Sequence, residues 1–354
     1  MSNETGTRDE PEDRADEAPD EDLDGEFEDE EKGSGEEVQG VDLEAELAAM
    51  AGGRVPEHPR CGFVALVGAP NAGKSTLLNA LVGSKISIVS PKVQTTRTRV
   101  LGLASQGDSQ IIFVDTPGIF RPKRRLDRAM VAAAWQGAGD ADMVILLVDA
   151  ARKGIDEDTR NIIAGLKEQR RKAILALNKI DLIRRDKLLG LAEELNGEGV
   201  FSDIFMISAE TGDGLKDLMD FLAARVPEGP WHYPDDQLSD MPMRELAAEI
   251  TREKLFLQLH QELPYSATVE TETWEEFGDG SVKINQVVFV ERESQKAIVL
   301  GRGGARIKAI GGAARHELEE MLERRVHLFL FVKVREDWGN DPERYRPWGL
   351  DYNA

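Results

Sequence analysis

The sequence predicts an α/β protein: a doubly wound, mostly parallel sheet, then a smaller α+β module, with a disordered acidic tail in front. Three observations predict it. From Gly62 onward, short apolar runs alternate with helix-forming stretches. A phosphate loop, Gly68-Ala69-Pro70-Asn71-Ala72-Gly73-Lys74-Ser75, stands between the first such run and the first helix. Beyond a proline-rich stretch the element order changes to α-β-β-α-α-β.

The elements follow from local pattern. Residues 63–67 form a short apolar strand ending in glycine, and 75–82 the helix after it. Buried strands are expected at 111–114, 143–148, 173–177 and 204–207, with helices between most of them, such as 159–169 and 187–195. Pro227, Pro230, Pro234 and Pro242 make a stiff, extended connector. Residues 243–263 then read as a helix, and 266–274 and 282–291 as alternating strands. Helices at 294–300 and 305–322 and a strand at 326–334 complete the module.

At 354 residues the chain is long enough for two domains, and 41% apolar content is enough to pack them. Its formal charge of −22 is unevenly spread. Residues 1–60 hold about 22 acids and about 5 bases, which leaves roughly −5 for the rest. The net charge therefore does not argue against a local basic patch. Residues 1–40 are too polar to offset their ordering entropy and read as disordered, and 41–50 as a transient helix. The boundaries are a tail at 1–58, the sheet domain at 59–228, a linker at 229–242 and the α+β module at 243–354. One cysteine, Cys61, rules out an intramolecular disulfide. No secretory signal is visible, and the apolar runs fall far short of the ~20 residues that span a bilayer. The chain reads as soluble and cytoplasmic.

The motifs carry the chemistry. In the phosphate loop, glycines turn backbone N–H groups toward a β-phosphate at the positive end of the next helix. Lys74 would reach the β- and γ-phosphates, and the Ser75 hydroxyl would ligate Mg²⁺. Asp115-Thr116-Pro117-Gly118 follows the 111–114 strand; its aspartate would hold Mg²⁺ through water and its Gly118 amide would meet the γ-phosphate. Asn178-Lys179-Ile180-Asp181 selects the base. The Asp181 carboxylate can accept from guanine N1–H and N2–H₂, whereas adenine would leave it buried and unpaired. Ser208-Ala209 offers a backbone amide to guanine O6. The nucleotide-binding candidates are thus Gly68, Asn71, Ala72, Gly73, Lys74, Ser75, Thr76, Asp115, Gly118, Asn178, Lys179, Asp181, Ser208 and Ala209, with GTP or GDP as the ligand.

This series, each member at a strand end, resembles the translation-factor class of GTPases. The resemblance implies a P-loop GTPase with a switch threonine in Val93-Gln94-Thr95-Thr96-Arg97-Thr98-Arg99. Thr96 is assigned as the magnesium and γ-phosphate sensor, with Thr95 the second choice. Ser75, Thr96 and Asp115 are the metal candidates, and Lys74, Thr96 and Gly118 the catalytic ones. Ile119 stands where Ras-like proteins carry a water-orienting glutamine, which implies slow intrinsic hydrolysis. Asn71 resembles the asparagine with which related GTPases hold K⁺, implying stimulation by that ion.

In the second module Gly301-Arg302-Gly303-Gly304 sits between two helices, followed by Ala305-Arg306-Ile307-Lys308. That setting is the G-x-x-G loop of a KH domain, which clamps a single-stranded RNA backbone. The RNA candidates are Gly301, Arg302, Gly303, Gly304, Arg306, Ile307 and Lys308, and the element order matches the type II KH arrangement. With Gln94-Thr95-Thr96-Arg97, Glu249-Ile250-Thr251-Arg252-Glu253-Lys254 and Glu262-Leu263-Pro264-Tyr265-Ser266, residues 60–354 resemble the Era family of ribosome-assembly GTPases. The resemblance implies binding of the 3′ end of 16S ribosomal RNA, a role in 30S subunit maturation, a monomeric state and peripheral contact with the inner membrane. Two other readings stay open: an RNA chaperone with GTP as allosteric ligand, and a membrane-associated cell-cycle GTPase.

Overall fold

A computed structural model describes residues 56–260, 262–346 and 348–354, so nearly all of the expected tail and the helix at 41–50 lie outside the described residues. Strand β1 (Arg60–Gly68) is buried on both faces and lies inside a six-stranded sheet. It pairs in parallel with β3 (Ser109–Asp115) and with β4 (Met143–Asp149). Parallel strands β5 (Ala173–Asn178) and β6 (Phe201–Met206) extend one side. β2 (Val100–Gln106) closes the other edge, antiparallel to β3.

Alternation along β1 divides the core. Val64 and Leu66 point to a layer containing Leu77 and Leu78 of α1 (Lys74–Val82) and Leu218 and Leu222 of α5 (Leu215–Ala223). Ala65 and Val67 point the other way. There they meet α2 (Arg125–Asp140), α3 (Glu157–Glu168) and α4 (Arg185–Asn196) through Ala134, Ile162 and Leu188. The sheet is doubly wound, so its ligand loops gather at the carboxyl ends of β1, β3, β4 and β5.

Edge strand β2 was not legible as a strand. Gly102, Ala104 and Ser105 are poor strand formers. Gly102 is there for clearance: a Cβ would lie 2.5 Å from Leu78 Cδ1 and 2.7 Å from Ile86 Cδ1. The proline-rich connector runs along this side of the sheet. Trp231 Nε1 donates to Asp108 O at 3.0 Å, Leu103 N to Leu238 O at 2.9 Å, and Ser239 Oγ to Leu101 O at 2.7 Å. The connector thus covers the open edge of β2.

The second module contains α6 (Met243–Gln258), β7 (Ala267–Glu276), β8 (Val282–Val290), α7 (Glu293–Leu300), α8 (Ala305–Leu322) and β9 (Val326–Val334). The sheet order is β7-β8-β9, antiparallel then parallel. Leu246, Ile250 and Leu255 of α6 and Ile310 and Leu318 of α8 fill its inner face. The helix expected at 243–263 stops at Gln258, where Leu259 turns extended and Lys92 Nζ donates to the carbonyls of Phe256 and Leu259. A further turn of helix, α9 (Pro342–Tyr345), follows β9. Tyr345 and Leu350 pack on Ala129 and Met130 of α2, and the Arg125 guanidinium lies 4.4 Å from the Tyr352 ring centre.

Phe113 lies at the centre of the first core layer and is fully buried. Phe113→Ala is expected to cost about 3–5 kcal/mol, seen as a lower urea midpoint at unchanged slope.

Candidate functional site

The phosphate loop is shaped by backbone that few residues can adopt. Gly73 has φ +100°, and a Cβ there would lie 2.3 Å from Asn178 Nδ2. Asn71 also lies in the left-handed region, at φ 65°. Gly118 passes so close that a Cβ would meet Pro70 at 3.2 Å. Lys74 Nζ donates to Gly68 O at 3.0 Å and Ala69 O at 3.1 Å, curling over the loop it belongs to. Burial lowers its pKa to about 8, partly offset by Asp115.

Three oxygens converge beside it. Ser75 Oγ lies 2.8 Å from Thr96 Oγ1 and donates to Asp115 Oδ2 at 2.8 Å, and Thr96 Oγ1 is 3.3 Å from the same oxygen. Ser87 Oγ adds a fourth contact at 3.1 Å. Asp115 is fully buried, and its Oδ1 has no hydrogen-bond partner among the described residues. Burial raises its pKa despite Lys74 and the hydroxyls. Hard oxygen donors around a carboxylate oxygen left unpaired are what a Mg²⁺ ion requires, so the residues present fit it. Thr95 is turned elsewhere: its hydroxyl lies 2.9 Å from Ser90 Oγ and donates to Lys92 O at 2.8 Å.

Asn178 is the cross-link of the site. Its Nδ2 donates to Ala72 O at 2.9 Å, while its Oδ1 accepts from Ala209 N at 3.0 Å and Lys179 N at 2.8 Å. Lys179 Nζ ties Asn71 O at 2.9 Å to Asp149 Oδ2 at 2.7 Å. Asp181 stands exposed in the turn Ile180–Leu182, where a base edge can reach it. The Ala209 amide expected to meet guanine O6 is thus already donating to Asn178, and the Ser208 amide donates to Asp213 O at 2.9 Å. An incoming O6 has to share or displace the Ala209 contact. Thr76 lines the phosphate cavity with Pro70 and Gly118. Ile119 is only 5% exposed and packs in the core with Ala65 and Ala134, so its side chain is turned away from the site.

The G-x-x-G loop has a bare outer surface. Gly301, Gly303 and Gly304 have φ 70°, 59° and 77°, and nothing lies within 4 Å of a Cβ placed on Gly303 or Gly304. Arg302 and Lys308 are exposed, Ile307 packs, as Leu330 and Val332 of β9 do, against the core cluster that contains Val299 and Ile310, and Arg306 Nη1 donates to Ile298 O. Of the three basic side chains, Arg302 and Lys308 face solvent while Arg306 caps α7. Sequence reasoning missed Phe329 and Phe331, which stand half-exposed on the other face of β9.

It also missed the grip of the second module on the switch loop. Arg97 Nη1 donates to Ala267 O at 2.9 Å, and its guanidinium lies 5.7 Å from the Phe256 ring and 5.5 Å from the Trp338 ring. Burial, with the neighbouring Arg252 charge, lowers its pKa to about 9. The signal lay in the segments 94–97, 249–254 and 262–266, which meet in space here.

A switch loop folded onto a phosphate loop, with the base-reading turn tied to the phosphate loop, defines the class: a P-loop GTPase, here carrying a KH module. Family models agree. Residues 63–179 match "50S ribosome-binding GTPase" and residues 262–339 match "KH domain". The GTPase Era of Rhizobium meliloti (strain 1021) is 63% identical over 302 residues, covering 85% of this chain and 96% of that protein. The GTPase Era of Brucella melitensis is 62% identical over 293 residues, covering 83% and 94%. Among solved structures, Era in complex with MgGDPNP and nucleotides 1506–1542 of 16S ribosomal RNA superposes with TM-score 0.78 at 40% identity, over 82% of this chain and 99% of that one. Aquifex aeolicus Era bound to GDP·AlF4⁻ gives 0.77 at 40%, with the same coverage. The chain belongs to the Era family of GTPases.

If Asp181 reads N1–H and N2–H₂, then Asp181→Asn replaces an acceptor by an amide that can donate to a 2-oxo group. GTP affinity is expected to fall by about a hundredfold or more while xanthosine triphosphate binding appears. Titration of both nucleotides checks this, and an unchanged preference for guanine would refute the assignment.

Proposed function

We propose that this chain is a GTP-hydrolysing switch that binds the 3′ end of 16S ribosomal RNA through its KH module and acts in 30S subunit maturation. The observation that carries it is the Ser75–Thr96–Asp115 corner, in which a loop held by the RNA-binding module reaches the phosphate site. The relative solved with MgGDPNP and 16S nucleotides 1506–1542 supports the ligand pair.

In this reading Lys74 leaves the carbonyls of Gly68 and Ala69 for the phosphates, gaining anionic partners for a buried ammonium. Ser75, Thr96 and Asp115 hold Mg²⁺, which when bound neutralises charge on the β- and γ-phosphates. The Gly118 amide faces the γ-phosphate, and Asn178, Lys179 and Ala209 keep the base turn in register while Asp181 reads guanine. With Ile119 buried in the core, no side chain at that position orients the attacking water, which makes intrinsic turnover slow. Asn71 donates through Nδ2 to Pro91 O at 2.9 Å, so its Oδ1 is the end we assign to a potassium ion. Arg302, Lys308 and the bare glycines clamp the RNA backbone, and Ile307 borders the groove for bases.

Cytoplasmic residence, a monomeric state and peripheral contact with the inner membrane complete the proposal. No helix among the described residues is long and apolar enough to cross a membrane.

Three measurements test it. Thr96→Ala is expected to slow GTP hydrolysis roughly a hundredfold, and exchange of K⁺ for Na⁺ to slow the unaltered protein. Footprinting on 30S particles should protect the 16S 3′ end with a GTP analogue more than with GDP. Equal protection would refute the switch, and a Lys74→Ala protein that still matures 30S particles would favour the chaperone reading.

A further inference from the structure

The loop carrying Thr96 is held from two sides. From within the GTPase domain, Asn71 Nδ2 donates to Pro91 O, Gln94 Nε2 to Asp127 Oδ1 at 3.2 Å, and Thr96 Oγ1 meets Ser75 and Asp115. From the KH module the grip is continuous. Val89 N donates to Glu253 Oε1 at 2.9 Å, Lys92 Nζ to the carbonyls of Phe256 and Leu259, and Arg97 to those of Ala267 and Pro264. Between them, Arg252 Nη2 donates to Thr95 O at 2.5 Å.

Arg252 is an expensive way to fill that position. It is 1% exposed, it is fastened to Glu249 through Nε at 2.7 Å and through Nη2, and its Nη1 is buried with no hydrogen-bond partner among the described residues. An apolar side chain of similar volume would avoid that desolvation. What it alone provides is a donor on Thr95 O. A carbonyl oxygen and the next amide share one rigid plane, so fixing Thr95 O fixes the peptide that leads into Thr96. Arg97 fixes the residue on the other side.

We infer that Arg252, a KH-module residue, is a positioning residue for GTP hydrolysis: it sets the peptide plane that places the Thr96 hydroxyl at Ser75 and Asp115. The inference rests on the reading of Thr96 as the magnesium and γ-phosphate group. The RNA-binding module thereby supplies part of the order that the phosphate site needs, and the GTPase domain's own contacts hold the loop from one side only.

The test uses the full chain and four variants: Arg252→Met, Arg252→Lys, Thr96→Ala and the Thr96→Ala/Arg252→Met double. Arg252→Met keeps the volume and removes the donor, and thermal melting checks that it folds. Its kcat is expected to fall about ten- to a hundredfold, with KM and GDP affinity within about twofold of the parent. Arg252→Lys should recover part of the loss, since an ammonium can still reach a carbonyl. The double variant should be no slower than Thr96→Ala alone, because both changes act through one hydroxyl. An Arg252→Met protein with parental kcat would overturn the inference, and so would losses that simply add. A Thr96→Ala protein with parental kcat would instead sink the reading of the phosphate site, and this inference with it.

Discussion

A carboxylate with no water to solvate it organises this molecule. Asp115 ends the strand beside β1 at a point where the sheet, α1 and the switch loop leave no solvent, and a buried charge must be met by donors. Ser75, at the start of α1, and Ser87 and Thr96, from the loop that follows it, meet it on one oxygen. Satisfying that single group draws the loop across the phosphate site. Once there, the loop's outer surface, including the carbonyl of Thr95 and the side chains of Lys92 and Arg97, has to be covered by something. The KH module covers it.

That covering is polar where domain contacts are often greasy. Lys92 takes up the unsatisfied carbonyls at the end of α6, a role an isolated helix leaves to water. Glu253 answers a loop amide and two lysines at once; burial disfavours its charge, but hydrogen bonds from Lys254 and Lys85 win and hold its pKa below the ordinary carboxylate range. Directional contacts of this sort come apart over short displacements, whereas an apolar interface would slide. The tail after β9 adds an apolar anchor on α2, so both segments flanking the phosphate site are touched by the C-terminal half.

Much of this was legible because certain motifs admit few residues. Gly73 and Gly301 sit where a side chain would collide, and Asn178 bridges two loops through both ends of one amide, so pattern alone located them. The alternating strands β7 and β8 and the helices α7 and α8 were read to within about two residues. The edge strand β2 was not, since its sequence is weak and its pairing with β3 and the connector makes it a strand. The early end of α6 was not, because a lysine from another domain caps it. Nor was the Ala209 amide's engagement with Asn178. The resemblance rested on segments 94–97, 249–254 and 262–266 without a physical reason for their joint presence; the reason is that they touch, which no local pattern contains.

The connector along β2 has a mechanical consequence. With residues 231–239 laid along that edge, and Leu101 N donating to Asp240 Oδ1 at 3.3 Å, any rotation between the two halves would pivot close to Pro242. From that pivot α6 extends 16 residues, roughly 24 Å. Rotation by about 10° would carry its far end some 4 Å, beyond the reach of any hydrogen bond. Arg252 and the Phe256 carbonyl sit on that arm, so such a rotation would part both of them from the loop together.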